Sequence, residues 1–137
     1  MRKRRAAGPA FTSPPIREVF NNLVWDIVSQ IPRGKVTTYG TIGSMIDRPK
    51  GVRARYYNAV KARWVGSAMA SCPSHLPWHR VINAQGKISV RPGNDHHVLQ
   101  RKLLEKEDVV FDEKGKVDLR SYLWASVIGN RQLKIGN

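Results

Sequence analysis

Ile16, Val19, Phe20, Leu23, Val24, Ile27, Val28 and Ile31 recur at the spacing that brings one face of a helix onto a core. Pro14 and Pro15 suit the start of that helix, with Ser13 as its cap, and Pro32 and Gly34 end it. The stripe reads as core. After Val36-Thr37-Thr38-Tyr39 comes a short helical segment with Ile42, Met45 and Ile46 on one side, then the turn cluster Asp47-Arg48-Pro49-Lys50-Gly51. The pattern next predicts a long helix from Arg55 to Ala70. It packs Ala59, Val60, Val65, Ala68 and Met69 and leaves Arg55, Lys61 and Arg63 polar. Two helices joined by a turn, the second one basic, match a helix-turn-helix, although any amphipathic pair looks similar.

Beyond the loop from Cys72 to Pro77, the segments Val81-Ile82 and Lys87-Ile88-Ser89-Val90 flank the turn Asn83-Ala84-Gln85-Gly86 and predict a small hairpin. Arg91-Pro92-Gly93-Asn94 is another loop. A helix from His97 to Lys106 is expected to bury Leu99, Leu103 and Leu104. Val109-Val110-Phe111 and Val117-Asp118-Leu119 predict a second hairpin, and Tyr122-Leu123-Trp124 packs back on the core. The expected class is α+β and mainly helical, with one domain over residues 14–125. A basic, Pro-containing tail over residues 1–13 is expected to be disordered, and residues 126–137 form a C-terminal tail. The chain shows no internal repeats.

A length of 137 residues sustains one modest core, and 41% apolar residues with a mean hydropathy of −0.44 suit a soluble globular chain. Charge changes the picture. Lys and Arg number 24 against 10 acids, a formal charge of +14 and a pI near 10.6, which points to a polyanionic partner. No Asp or Glu occurs from Arg48 through Asn94, where nine Lys or Arg fall, and seven of the ten acids crowd between Asp95 and Asp118. Carboxylates repel phosphates, so the acid-free stretch reads as a face turned toward a nucleic-acid backbone. The acidic stretch then belongs to the far side or serves structure.

Cys72 is the one cysteine, which excludes an internal disulfide or a cysteine-based zinc site and fits a reducing compartment. No metal or cofactor is expected, and no run has the length of a membrane span. Met1-Arg2-Lys3-Arg4-Arg5 precedes Ala, Gly, Pro and Ser rather than an apolar core, against a secretory signal. The pentad reads either as a nuclear import signal or as a phosphate-binding tail. The expected location is the nucleus in a eukaryote and the cytoplasm otherwise.

The chemistry concentrates in Pro77-Trp78-His79-Arg80-Val81. A Trp between Pro and His beside a loop can stack on a planar ligand or simply pack a corner. His79 can act as a base or serve as a structural hydrogen-bonding residue. The segment resembles the Pro-Cys-His-Arg-Val motif of O6-alkylguanine-DNA alkyltransferases, with Trp78 in the place of the acceptor cysteine. Ile31 to Gly40 is similar to the opening of that family's DNA-binding domain, Ala62 to Met69 to its recognition helix, and Leu103 to Glu107 to the segment carrying its buried glutamate. The ordered resemblance covers Val19 to Trp124, and the tryptophan marks the alkyltransferase-like subgroup.

The resemblance implies a winged-helix-like DNA-binding domain with a helix-turn-helix and small β-hairpins. In the enzyme a thiolate beside its histidine attacks the alkyl carbon on guanine O6. An indole has no nucleophile to offer, so His79 and Glu107 are left as a base and its orienting partner with nothing to activate. Flipping and holding the base survive that loss. By resemblance Arg63 enters the duplex, Tyr39 crowds the target phosphate, Trp78 lines the pocket and Arg91 contacts the flipped base. Thr38, Gly66 and Ser67 belong to the same DNA-binding set. Plain phosphate contacts are the alternative for Arg63 and Arg91.

Between Tyr39 and Arg63 the chain is longer than its relatives, with the extra residues around Pro49 to Val60. A second register makes Arg55 the finger, but Val65-Gly66 and Ala68-Met69 favour Arg63. The implied function is a non-enzymatic sensor of O6-alkylguanine in duplex DNA, expected to be a monomer, that marks lesions for nucleotide excision repair proteins. The alternatives are a lesion-blind basic DNA-binding protein and an alkyltransferase using Cys72, six positions before Trp78.

Overall fold

A computed structural model describes residues 13–125; the expected tails at residues 1–13, except Ser13, and 126–137 lie outside the described residues. α1 spans Arg17–Val28 with Glu18 in its first turn, where a carboxylate complements the helix dipole. Its N-cap is Ile16, not Ser13, and no side chain caps it. The helix ends earlier than Pro32: past Val28 the backbone bonds tighten, Gln30 N to Ile27 O at 3.0 Å and Ile31 N to Val28 O at 3.1 Å. Phe20, Val24 and Val28 are buried, each worth about 1.5–3 kcal/mol, and Ile31 extends the row. Ile27 packs half-buried against that core, but Ile16, Val19 and Leu23 are 64%, 53% and 46% exposed and are not core. α1 packs chiefly on one other helix, which covers only part of so wide an apolar face.

β1 (Thr37–Thr38) leads directly into α2 (Tyr39–Met45), whose N-cap Thr38 accepts the Thr41 N–H at 3.1 Å. α3 spans Ala54–Ala70, and α2 and α3 make the helix-turn-helix. The turn between them is held by Val52, buried in the core, whose carbonyl takes Arg48 Nη1 at 2.6 Å. Tyr57 Oη donates to Gly43 O at 2.7 Å, and a Cβ at Gly43 would meet Lys61 at 2.8 Å, so the two helices touch through a glycine. The residues expected to be extra, around Pro49 to Val60, form this packed turn and the first turns of α3.

Trp64 is the centre of the first core cluster, with the Phe20 ring at 5.8 Å, Tyr57 at 6.0 Å and Tyr56 at 6.4 Å. The pattern missed Trp64 and Tyr57 as core and wrongly included Ala59, which is exposed.

β1 pairs in parallel with β2 (Val81–Ile82), Thr37 opposite Val81 and Thr38 opposite Ile82. On the other side Val36 N donates to Tyr122 O and Val36 O accepts Trp124 N. The expected hairpin from Val81 to Val90 is corrected: Asn83 to Lys87 is a tight turn, and no second strand follows. β2 is paired by β1 instead, and Gly86 O accepts Val117 N at 2.9 Å. Gly86 has φ +80°, and a Cβ there would meet Val117 O at 2.6 Å, so only glycine fits. The other expected hairpin exists as one antiparallel bridge between Phe111 and Val117.

α4 (His96–Lys106) buries Gln100 and Leu104, whereas Leu99 is 48% exposed and Leu103 half-buried. Gln100 Nε2 donates to His79 O at 3.1 Å and Val81 O at 2.9 Å, a demand that hydrophobic spacing does not reveal. α5 (Leu119–Tyr122) is capped by Asp118 and closes the chain on the second cluster of Val36, Ile82, Leu104, Val109 and Val117. The class is the mainly helical α+β one that was expected.

Glu107, just past α4, ties these parts together. Its carboxylate accepts Arg80 Nη2 at 2.8 Å and Nε at 3.0 Å, His79 Nε2 at 2.8 Å and the Gly34 N–H at 3.0 Å. Arg80 Nη1 reaches on to Ile31 O at 2.7 Å, and Arg33 Nη2 to Lys106 O at 2.9 Å. Burial alone would raise the Glu107 carboxyl, but the hydrogen bonds from Arg80, His79 and Gly34 outweigh it and hold it at about 2.

Trp64→Ala should cost about 3–5 kcal/mol in urea unfolding. Trp64→Phe should cost much less, since Trp64 Nε1 is buried with no partner to lose. A cost for the alanine below about 1 kcal/mol would remove Trp64 from the centre of the core. Glu107 titrates lower folded than unfolded, so its stabilisation, of order 3 kcal/mol, is whole above pH 4.5 and drains away as pH falls toward 2. Glu107→Gln should make the acid limb of stability against pH shallower but not flat. Asp112 and Asp118 are also held low, first by the backbone N–H groups of Lys116 and Arg120. An unchanged acid limb in Glu107→Gln would refute the assignment.

Candidate nucleic-acid interface and base pocket

The loop after α3 ends in a 3₁₀ turn, Trp78–Arg80, which sits at the wall of a recess of about 230 Å³. The recess gathers side chains from distant parts of the chain. Tyr39 comes from the start of α2, Met69 and Ala70 from the end of α3, and Trp78 and Val81 from the turn and β2. Ser89, Arg91 and Asn94 come from the loop that follows, and His96, His97 and Gln100 from the first turns of α4. Tyr39 Oη lies 3.5 Å from Ser89 Oγ, across the mouth between α2 and the loop. Three residues expected at the site, Tyr39, Trp78 and Arg91, are therefore brought together.

The other expected residues fall elsewhere. Thr38 is buried as the cap of α2 and positions Tyr39 without facing solvent. Arg63 and Ser67 are exposed on α3 and Gly66 is half-buried with open space where a Cβ would stand. Arg55 is exposed on the same helix. α3 begins at Ala54, so Arg63 stands in its middle and Arg55 in its first turn.

His79, which follows Trp78 in the turn, is joined to Glu107 at 2.8 Å, and neither lines the recess. The ionised Glu107 can only accept, so His79 Nε2 carries the proton in that bond. An imidazole so oriented could activate a thiol beside it. Trp78, with the His79 ring at 6.1 Å and the His96 ring at 6.3 Å, offers an indole N–H donor and an apolar face instead. Cys72 is no substitute. It packs against the first core cluster, does not line the recess, and burial pushes its thiol up to about 11, leaving little thiolate at neutral pH.

Sequence reasoning missed several lining residues, among them Met69, Ala70, Asn94, His96, His97 and Gln100. It also missed Arg80 as the residue that clamps Glu107. The adjacent His96-His97 pair was a visible signal; the convergence of α4 on the turn was not. Among the described residues no group of three or more His, Cys, Asp or Glu is placed to hold a metal. None of the described helices is long and apolar enough to cross a membrane.

A family model for the DNA-binding domain of 6-O-methylguanine DNA methyltransferase matches residues 19–109. A DNA base-flipping protein of Vibrio parahaemolyticus is 43% identical over 103 residues, which cover 74% of this chain and 91% of that protein. Alkyltransferase-like protein 1 of Schizosaccharomyces pombe is 37% identical over 111 residues, covering 77% of this chain and 94% of that one. A crystal structure of S. pombe Atl1 with damaged DNA containing O6-carboxymethylguanine aligns at a TM-score of 0.63 and 36% identity, over 80% of this chain and 97% of the other. With a tryptophan where the motif carries its acceptor cysteine, the chain belongs to the family of the 6-O-methylguanine DNA methyltransferase DNA-binding domain, in its alkyltransferase-like branch.

Proposed function

We propose that this protein binds duplex DNA, flips an O6-alkylguanine into the recess and holds it without removing the alkyl group. The observation that carries the reading is Trp78 in the recess wall beside an intact His79–Glu107 pair. The site has kept its architecture and lost its nucleophile. Extrusion of a base costs a few kcal/mol, less for a weakly paired damaged one, which is where selectivity begins.

In this reading Arg63 enters the duplex and fills the vacated position. It is exposed and ion-paired to no described carboxylate, and so is Arg55, which contacts phosphate from the first turn of α3. Tyr39 presses on the target phosphate, Trp78 packs against the alkyl group and Arg91 meets the base. Gly66 and Ser67 let the α3 backbone approach the groove. Base flipping without alkyl transfer is supported by the chain's likeness to a DNA base-flipping protein and to an alkyltransferase-like protein.

Since the alkyl group stays on the guanine, another machinery must excise it, and the proposed recipients are nucleotide excision repair proteins. The protein acts as a monomer. Its basic pentad at residues 1–5 serves as a nuclear import signal if the source is a eukaryote.

Fluorescence anisotropy of a labelled duplex carrying one O6-methylguanine, against the same duplex with guanine at matched salt, tests the core of the proposal. The lesion duplex should bind at least about tenfold more tightly. Trp78→Ala and Arg63→Ala should each erase most of that preference. Arg55→Ala should weaken both duplexes alike and lower the salt slope by about one. If Arg55→Ala rather than Arg63→Ala removes the preference, the finger is Arg55. Equal affinity for the two duplexes would leave a lesion-blind DNA-binding protein. Intact-mass measurement after incubation with the lesion duplex should show no gain on the protein, in the wild type and Cys72→Ser alike. A gain lost in Cys72→Ser would make the protein an alkyltransferase.

A further inference from the structure

Gln100 stands on α4 in the wall of the recess and is 8% exposed. Its Nε2 donates to His79 O at 3.1 Å and to Val81 O at 2.9 Å. A carbonyl can only accept, so these two bonds fix which end of the amide is which. The other end, Oε1, accepts no hydrogen bond among the described residues. Nor is it sealed in: the described buried side-chain polar atoms without a partner are Thr37 Oγ1, Trp64 Nε1 and His97 Nδ1. Oε1 therefore keeps an opening, and the space that opens onto Gln100 is the recess.

Acceptors are scarce in that wall. No Asp or Glu of the described residues lines it, and the Arg91 guanidinium and Trp78 indole only donate. The nearby carbonyls are already engaged, Trp78 O by Val81 N and those of His79 and Val81 by Gln100 itself. Asn94 Oδ1 accepts the His96 N–H, and Tyr39 Oη and Ser89 Oγ lie 3.5 Å apart across the mouth. Gln100 Oε1 is left as an acceptor locked in place, able to take a donor and unable to offer one.

Guanine alkylated at O6 has lost its ring N–H, so the exocyclic amine is the one donor left on the base. Resting on the flipped-base reading, we propose that Gln100 Oε1 reads that amine, so that the recess selects alkylated guanine over alkylated purines that lack it. Through Nε2 the side chain holds the Trp78 turn, and through Oε1 it meets the base. A base without the amine leaves Oε1 covered and unpaired, with its lost hydration uncompensated.

The test is anisotropy at matched salt on duplexes carrying guanine, O6-methylguanine or O6-methylhypoxanthine, the last differing from the second only in lacking the exocyclic amine. Losing the amine weakens pairing and makes the base cheaper to extrude, so a recess blind to it should bind the hypoxanthine lesion at least as well. The wild type should instead bind O6-methylguanine about three- to tenfold more tightly. Gln100→Lys keeps a donor for the two carbonyls and removes the acceptor, and should bring that ratio to unity or below while O6-methylguanine is still preferred over guanine. Gln100→Leu, which removes the acceptor without adding charge, should lose the ratio too and serves if the lysine variant fails to fold. Gln100→Glu keeps an acceptor and gives up the donor, so it should retain the ratio while binding both lesions more weakly. A wild type that binds the two lesions alike overturns the proposal, as does a ratio that survives in a folded Gln100→Lys or Gln100→Leu. A wild type that binds neither lesion better than guanine overturns the flipped-base reading itself, a separate and recognisable result.

Discussion

The carboxylate of Glu107 receives hydrogen bonds from two separated stretches of chain, the Gly34 turn and the adjacent His79 and Arg80. Arg80 extends the grip to Ile31 O, and Arg33 returns it to Lys106 O. This one group fixes the loop that leads into β1 and the turn that carries Trp78 against the end of α4. A buried carboxylate is tolerable only when its lone pairs are filled, and here a bidentate guanidinium, an imidazole and a backbone N–H fill them. Gly34, at φ +82°, supplies an N–H from a turn that a side-chain-bearing residue would adopt only under strain. The recess depends on this clamp, because Tyr39 follows β1, Trp78 sits on the clamped turn and His97 rides on α4.

The clamp also explains how a histidine and a glutamate keep a relay-like geometry with no thiol to serve. Glu107 is held ionised by bonds that the fold itself needs, so the His79 tautomer is set whether or not anything reacts. Replacing the acceptor by Trp78 removes the nucleophile and leaves the support untouched. What remains has the parts of a binding pocket, with Trp78, Tyr39 and Arg91 in its lining.

Charge is distributed in agreement with that division of labour. Three of the acids do structural work, Asp112 and Asp118 in turns, Glu107 in the clamp, Asp118 also as the cap of α5. The helix-turn-helix surface carries Arg55 and Arg63 on one helix, about 12 Å apart along its axis, with Asn58, Ala59 and Ala62 exposed between them. A helix presenting small side chains between arginines can approach a polyanion closely, and no described carboxylate neutralises either arginine beforehand.

By itself the sequence determined the helices, the helix-turn-helix and the loss of the acceptor. Periodicity located α1, α3 and α4 within a few residues because a helix that buries one face must repeat apolar residues at its own pitch. One substitution in a short motif, Trp78, removed the nucleophile without any need of coordinates. Only the tertiary structure decided which apolar residues are core. Ile16, Val19 and Leu23 share the α1 pattern with Phe20 and Val24 but stay exposed. It decided that β2 pairs in parallel with β1 rather than in a hairpin, since strand partners distant in sequence leave no local mark. It decided that Gln100, not Leu99, turns inward, because two carbonyls of the Trp78 segment required a donor. And it brought His96 and His97 to Trp78. Proximity across eighteen residues is a property of packing, and no spacing rule along the chain encodes it.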